Sequence, residues 1–390
     1  MKYNFDEVID RRNTSCVKFD AVSERLGRND FIPLWVADMD FLSPPCVIEA
    51  LKKRVEHGIF GYTFPSPEYY RSIIDWLKKR HHLTVKKEYL TFVPGIVKGI
   101  AFAIDEFTEK GDKVIIQPPV YHPFRIVTEG LERQVVNNPL ALENGRYRMD
   151  IDGLKKAVAE NDCKVLILCN PHNPGGRIWS SEELAIIAEI CYDKDILVIS
   201  DEIHADLALP GYHHTPFVSV SEKAAQNSIT FMAPSKTFNI AGIVSSFAVI
   251  PNIDIRKRYV GYLEKRELNQ GDLFAYTAAQ AAYEGGEEWL DELLKYIKGN
   301  IDFVSDFLAT HIPQIKPMVP EASFLVWLDC RGLELSQKEL VSLFRDKAHL
   351  VLNDGTMFGK EGEGFMRMNV GSPRAIIEKA LINLKNAVNE

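Results

Sequence analysis

Lys236 lies in Ala233-Pro234-Ser235-Lys236-Thr237-Phe238-Asn239-Ile240-Ala241-Gly242, directly after the apolar run Ser228–Met232. That run predicts a buried strand, which puts the lysine at a strand mouth before a small-residue turn. Lysine is seldom buried without a partner. A desolvated lysine amine forms Schiff bases with aldehydes and ketones. Asp201, in Asp201-Glu202-Ile203-His204, follows a second apolar run. Asp is a favoured helix N-cap, but a carboxylate there can also hold a pyridine nitrogen protonated. Asn173, in Asn170-Pro171-His172-Asn173-Pro174-Gly175-Gly176, follows a third run. These are turn-forming residues, and the amide can donate to a phenolate oxygen. Pro94-Gly95-Ile96-Val97-Lys98-Gly99 opens a helix, whose free N–H groups suit a phosphate. Tyr121 could stack on a ring or be an ordinary half-buried tyrosine. Arg367 interrupts the apolar strand Phe365–Val370, where its fork suits a carboxylate or a structural ion pair. Together these parts describe a site for pyridoxal phosphate acting on an amino acid.

The elements that must position them alternate between helix and strand. Gly95–Thr108 reads as a helix after the short strand Thr91–Val93. Lys113–Gln117, Lys164–Asn170 and Ile196–Ser200 read as strands, and Ser181–Tyr192 as an amphipathic helix capped by Ser180 or Ser181. Continuous apolar runs separated by helices predict a parallel sheet covered on both faces, hence a doubly wound α/β unit. In such sheets function collects at the carboxyl ends of strands, where Asn170, Asn173, Asp201, His204, Ser235 and Lys236 fall. After about residue 285 the pattern changes. Glu287–Thr310, Gln337–Lys347 and Pro373–Val388 read as helices, and Phe324–Asp329, His349–Leu352 and Phe365–Val370 as strands. The expected division is a large unit over 48–286 and a smaller α+β unit built from 1–47 and 287–390.

The chain has 390 residues, 46% of them apolar, and a formal net charge of -8. That supports sizeable cores and argues against a nucleic-acid surface. Its six cysteines are scattered without a Cys-x-x-Cys pair, so neither a metal site nor a disulfide framework is expected. No apolar stretch reaches the roughly 20 residues that span a bilayer. The first residues lack an apolar signal segment, and a cytoplasmic location is expected.

Four segments in order, Asn170–Gly176, Asp201–His204, Ser235–Gly242 and Arg367–Arg374, resemble the class I/II aminotransferase superfamily of fold-type I pyridoxal phosphate enzymes. Pro33-Leu34-Trp35-Val36-Ala37-Asp38-Met39-Asp40-Phe41 is similar to the cystathionine β-lyase or carbon–sulfur lyase branch, the MalY/PatB type, as are Gly61–Pro65 and Ser235–Asn239. The resemblance implies that Lys236 carries the cofactor and that Asp201 meets its pyridine nitrogen. It implies Tyr121 on the ring, Asn173 on the phenolate oxygen, and Ile96, Val97 and Ser235 on the phosphate. Tyr62 would reach that phosphate from a neighbouring subunit, implying a homodimer with shared sites. Arg367 would hold the substrate carboxylate with Ala37 and Asn173 beside it. His204 stands where many aminotransferases carry a tyrosine near the phenolate oxygen, which implies a donor on the cofactor side. Two departures from the aminotransferase pattern are Ala233 and Val244; the latter replaces a phosphate-binding arginine.

The expected reaction is β-elimination from an S-substituted L-cysteine such as cystathionine, with Lys236 as general base. An aminotransferase would use the same lysine but need a keto-acid acceptor. A regulatory protein that keeps the cofactor and acts through a partner surface is the third possibility.

Overall fold

Seven short runs form one sheet. In the computed structural model, which describes residues 2–390, they are β1 (Leu90–Val93), β2 (Lys113–Ile116), β3 (Gln134–Asn137), β4 (Cys163–Cys169), β5 (Leu197–Asp201), β6 (Ser228–Met232) and β7 (Ser246–Val249). Their order across the sheet is β1-β7-β6-β5-β4-β2-β3. Strands β2 to β6 pair in parallel, while β7 runs antiparallel to both β6 and β1.

Strand β4 shows why its sequence is apolar throughout. Val165, Ile167 and Cys169 pack on one face with Ile96, Ile100, Ala103 and Ile104 of α2 (Ile96–Phe107). Leu166 and Leu168 point to the other face, among Leu184, Ile187, Ala188 and Cys191 of α3 (Ser181–Tyr192). Alternate side chains thus feed two cores, as a doubly wound sheet requires. Helix α3 starts at Ser180, whose side chain forms a reciprocal capping box with Glu183.

Helix α1 (Pro67–His81) packs outside this sheet, and α4 (Pro234–Thr237) is a single turn after β6. The lysine therefore stands on a short helix, not in an irregular turn. Asp201 closes β5, paired with Cys169 and Phe231, and so caps no helix.

A second, antiparallel sheet has the order β8-β9-β11-β10, made of β8 (Lys316–Met318), β9 (Leu325–Asp329), β10 (Asn353–Asp354) and β11 (Phe365–Asn369). Helices α5 (Glu287–His311) and α6 (Arg374–Asn389) share its core through Leu293, Ile297, Ile301, Ile377 and Leu381. The predicted strand 349–352 shrinks to Leu350–Val351, parallel to Ile32–Pro33. His349 has φ +57°, a left-handed conformation that a strand cannot continue through. The predicted helix 337–347 is α-helical only to Ser342 and ends in a wider π turn over Leu343–Lys347.

The segment 34–41 is strapped over the first sheet's strand ends. Asn369 Nδ2 donates to the carbonyls of Val36 (2.5 Å) and Asp38 (2.7 Å). Asn239 accepts from Met39 N (2.9 Å) and donates to Phe41 O (2.8 Å). Lys18, fully buried, pairs with Asp40 at 2.7 Å, and Arg11 bridges Asp38 and Asp40.

Candidate active site

At the carboxyl ends of β1, β4, β5 and β6 lies a cavity of about 200 Å³. Its wall includes Ala37, Ile96, Val97, Tyr121, Asn173, Asp201, His204, Ser235 and Lys236. These nine sequence-predicted residues converge from six separate stretches of chain. Arg367 is buried directly behind the wall, joined to it through Asn173.

The amine of Lys236 reaches the cavity from α4 and donates to the carbonyl of Ala37 at 2.5 Å. Burial lowers its pKa to about 8; Asp38 and Asp201 pull it up, and Arg367 pushes it down. A useful fraction of the amine is therefore neutral near pH 7.5, as a nucleophile or base needs. Across the cavity, burial raises Asp201 to about 7, against the Ile203 N–H, which donates to it at 3.1 Å. It has no cationic hydrogen-bond partner among the described residues, so a protonated ring nitrogen would be its natural counter-ion.

Arg367 comes from β11. Its Nη1 donates to Asn173 Oδ1 at 2.9 Å, and its Nη2 to Trp35 O at 3.0 Å and Asn353 Oδ1 at 2.6 Å. Its Nε is buried without a partner. Burial lowers its pKa to about 10, with Tyr121 opposing, so it stays cationic at neutral pH. The bond from Arg367 also orients Asn173: with the oxygen engaged, Nδ2 is the end left free to donate. His204 is buried with Nδ1 unpartnered. Burial, Lys236 and Arg367 hold it at about 3, so it is a neutral imidazole.

Helix α2 aims its first turn at the same cavity. Gly95 precedes it with φ +102°, which only glycine adopts without strain. The N–H groups of Ile96 and Val97 have no acceptor within the helix. Their free donors and the helix dipole favour an anion.

Tyr62 is not brought to the cavity. It is fully exposed, beside Phe60, Ile243 and Phe274. Ser245, Ser246, Cys169 and Ile203 also line the cavity and escaped the sequence reading. Asn353 escaped it too, since an asparagine in a two-residue strand carries no local signal. Val244 lines the wall where the aminotransferase pattern has an arginine.

The family model for aminotransferase class I and II matches residues 29–384. The chain is 43% identical over 386 residues to cystathionine beta-lyase PatB of Bacillus subtilis (strain 168), covering 99% of this chain and 100% of that protein. It superposes with TM-score 0.96 and 37% identity on cystalysin from Treponema denticola, which contains a pyridoxal 5'-phosphate cofactor, covering 100% of this chain and 99% of that one. The PLP-bound C-S lyase from Staphylococcus hominis matches with TM-score 0.92 and 35% identity, over 100% and 98% of the two chains. With these matches spanning nearly all of both partners, the chain belongs to the aminotransferase class I and II family, in its MalY/PatB branch.

Proposed function

We propose that this chain is a pyridoxal phosphate-dependent carbon–sulfur β-lyase, cleaving cystathionine or a related S-substituted L-cysteine to a thiol, pyruvate and ammonia. The observation that carries it is the convergence of Lys236, Asp201 and Asn173 on one cavity, with Arg367 bonded to Asn173. The similarity to proteins named cystathionine beta-lyase and C-S lyase selects the reaction within the family.

The residues present fit the cofactor. Asp201 accepts no hydrogen bond from a cationic side chain among the described residues, His204 Nδ1 is an orphaned buried polar atom, and α2 presents free N–H groups. Lys236 would hold the aldehyde carbon, Asp201 the pyridine nitrogen, and Asn173 Nδ2 the phenolate oxygen. Tyr121 would cover a ring face, and Ile96, Val97 and Ser235 would hold the phosphate. When bound, pyridoxal phosphate supplies an aldehyde for the substrate amine and a ring that accepts the electron pair left at Cα.

The chain's own residues do the rest. Arg367 holds the substrate α-carboxylate and so fixes the face on which Cα–H points. The released Lys236 amine takes that proton, which its lowered pKa permits near neutrality. Asp201 stays anionic beside the ring nitrogen and keeps it protonated. The Cβ–S electron pair leaves with sulfur, and one water is consumed in forming pyruvate and ammonia.

We also propose that two copies share their sites, Tyr62 of each completing the other's phosphate cradle. The support is an exposed apolar run: Ile59, Phe60, Tyr62 and Phe64 all face outward, an arrangement typical of an interface.

Incubating cofactor-loaded protein with L-cystathionine and no keto acid tests the reaction. Equal amounts of pyruvate, ammonia and homocysteine are expected. Amino-group transfer seen only after a keto acid is added would make the chain an aminotransferase instead.

A further inference from the structure

Asp201 and Lys236 leave different strands, β5 and β6, yet must grip opposite ends of one ring. Beyond the backbone bond from Glu202 N to Phe231 O (2.9 Å), a side-chain hydrogen bond behind the cavity ties the stretches that follow them together. Thr237 Oγ1 donates to Asp206 Oδ2 at 2.8 Å. Thr237 follows Lys236 on α4, and Asp206 lies in the turn Ala205–Leu207 just beyond Asp201. The other carboxylate oxygen, Oδ1, accepts Trp76 Nε1 at 2.8 Å and is 2.7 Å from His81 Nε2, both on α1.

All four side chains are buried, and none lines the cavity. Burial pushes the Asp206 pKa up, but His81, Trp76 and Thr237 together bring it below the ordinary carboxylate value. Asp206 is therefore an anion with three donors, and hydrogen bonds to an anion are the stronger kind. The charges that act on the Lys236 amine are Asp38, Arg367 and Asp201, and Asp206 is not among them. Its route to the lysine is mechanical, through the placement of α4.

We infer that Asp206, braced by Trp76 and His81, is a positioning residue that acts through Thr237 to hold Lys236 in register with Asp201. This rests on the pyridoxal phosphate reading of the cavity. A reacting group moved by about 1 Å can lose on the order of a hundredfold in rate, so one such bond matters.

Thr237→Val keeps the side-chain shape and removes the hydroxyl; Thr237→Ser keeps the hydroxyl. Both are compared with wild-type holoenzyme by kcat, KM and pH titration of the bound cofactor's visible absorbance. Thr237→Val is expected to lower kcat about tenfold or more with KM within about twofold, and to move the titration midpoint. Thr237→Ser should restore both. Unchanged kcat and midpoint in Thr237→Val, with only thermal stability reduced, would overturn the inference and leave Asp206 a purely structural group. If Thr237→Val does not fold, Trp76→Phe removes one brace without changing any residue of α4 and keeps an aromatic ring against Phe238, the residue that caps it. A smaller kcat loss and midpoint shift support the inference, and no change in either overturns it. Wild-type protein without a visible cofactor band would instead sink the cofactor reading itself.

Discussion

Lys236 and Asp201 face each other in a cavity that disfavours both their charges. For the lysine, the folded-state pKa of about 8 lies below the ordinary lysine value of 10.5. Below pH 8 both folded and unfolded chains carry the proton, and the burial penalty applies in full. Between 8 and 10.5 the unfolded chain binds more protons, so stability rises with pH; above that range the penalty is gone. Lys236→Met should therefore stabilise the cofactor-free chain by about 2 kcal/mol below pH 8, the gain fading by pH 10.5. The figure is discounted because the amine still meets solvent in the cavity. Urea unfolding at pH 7 and pH 10.5 checks this, and a pH-independent difference would contradict it. The same substitution should abolish pyruvate release. At Arg367 the fork is already committed to Asn173, Trp35 O and Asn353. A point charge cannot keep those bonds and also grip a carboxylate. Arg367→Lys should raise KM about tenfold or more while kcat falls less. Unchanged KM in steady-state kinetics would remove Arg367 from the substrate site.

At the scale of elements, the phosphate end depends on how closely α2 approaches the sheet. Gly99 makes that approach possible. A Cβ there would lie 2.6 Å from Val93 Cγ1 and 2.8 Å from Phe231 Cε1, both in strands. Gly99→Ala must push α2 away from β1 and β6, carrying Ile96 and Val97 with it. We expect a loss of about 1–3 kcal/mol and weaker cofactor retention on dialysis. Unaltered retention with lower stability would show that the helix start holds its place independently. Strands β1, β4, β5 and β6 and helix α2 were legible in the sequence because their apolar periodicity is local, whereas β7, which brings Ser246 to the wall, and the single-turn α4 were not. Where reading and structure part, at 337–347 and 349–352, backbone conformation intervenes: a π turn and a left-handed His349.

For the whole molecule, Tyr62 is the test. It is fully exposed and is not part of the cavity lining within one chain. If two copies share their sites, the protein should run as a dimer in analytical ultracentrifugation, and Tyr62→Phe should weaken cofactor retention without dissociating it. A monomer with full activity would remove both the dimer and the role of Tyr62. The face proposed for docking is an apolar run, Ile59–Phe64, that the single chain leaves exposed.

Read as a string of residues, the chain already shows its chemistry: an amine after β6, a carboxylate at the end of β5, an amide after β4 and free N–H groups at the start of α2. Each is a short motif joined to one strand or helix, so side-chain type and periodicity were enough. How they meet depends on the packing of distant segments. The order β6-β5-β4 sets the three strand ends side by side. Arg367 reaches Asn173 across 194 positions because β11 belongs to the second sheet. The carbonyls of Trp35 and Ala37, the clamp from Asn353 and the brace at Asp206 were invisible beforehand. Backbone oxygens carry no sequence signature, and a buried polar residue shows its partners only once the chain has packed around it.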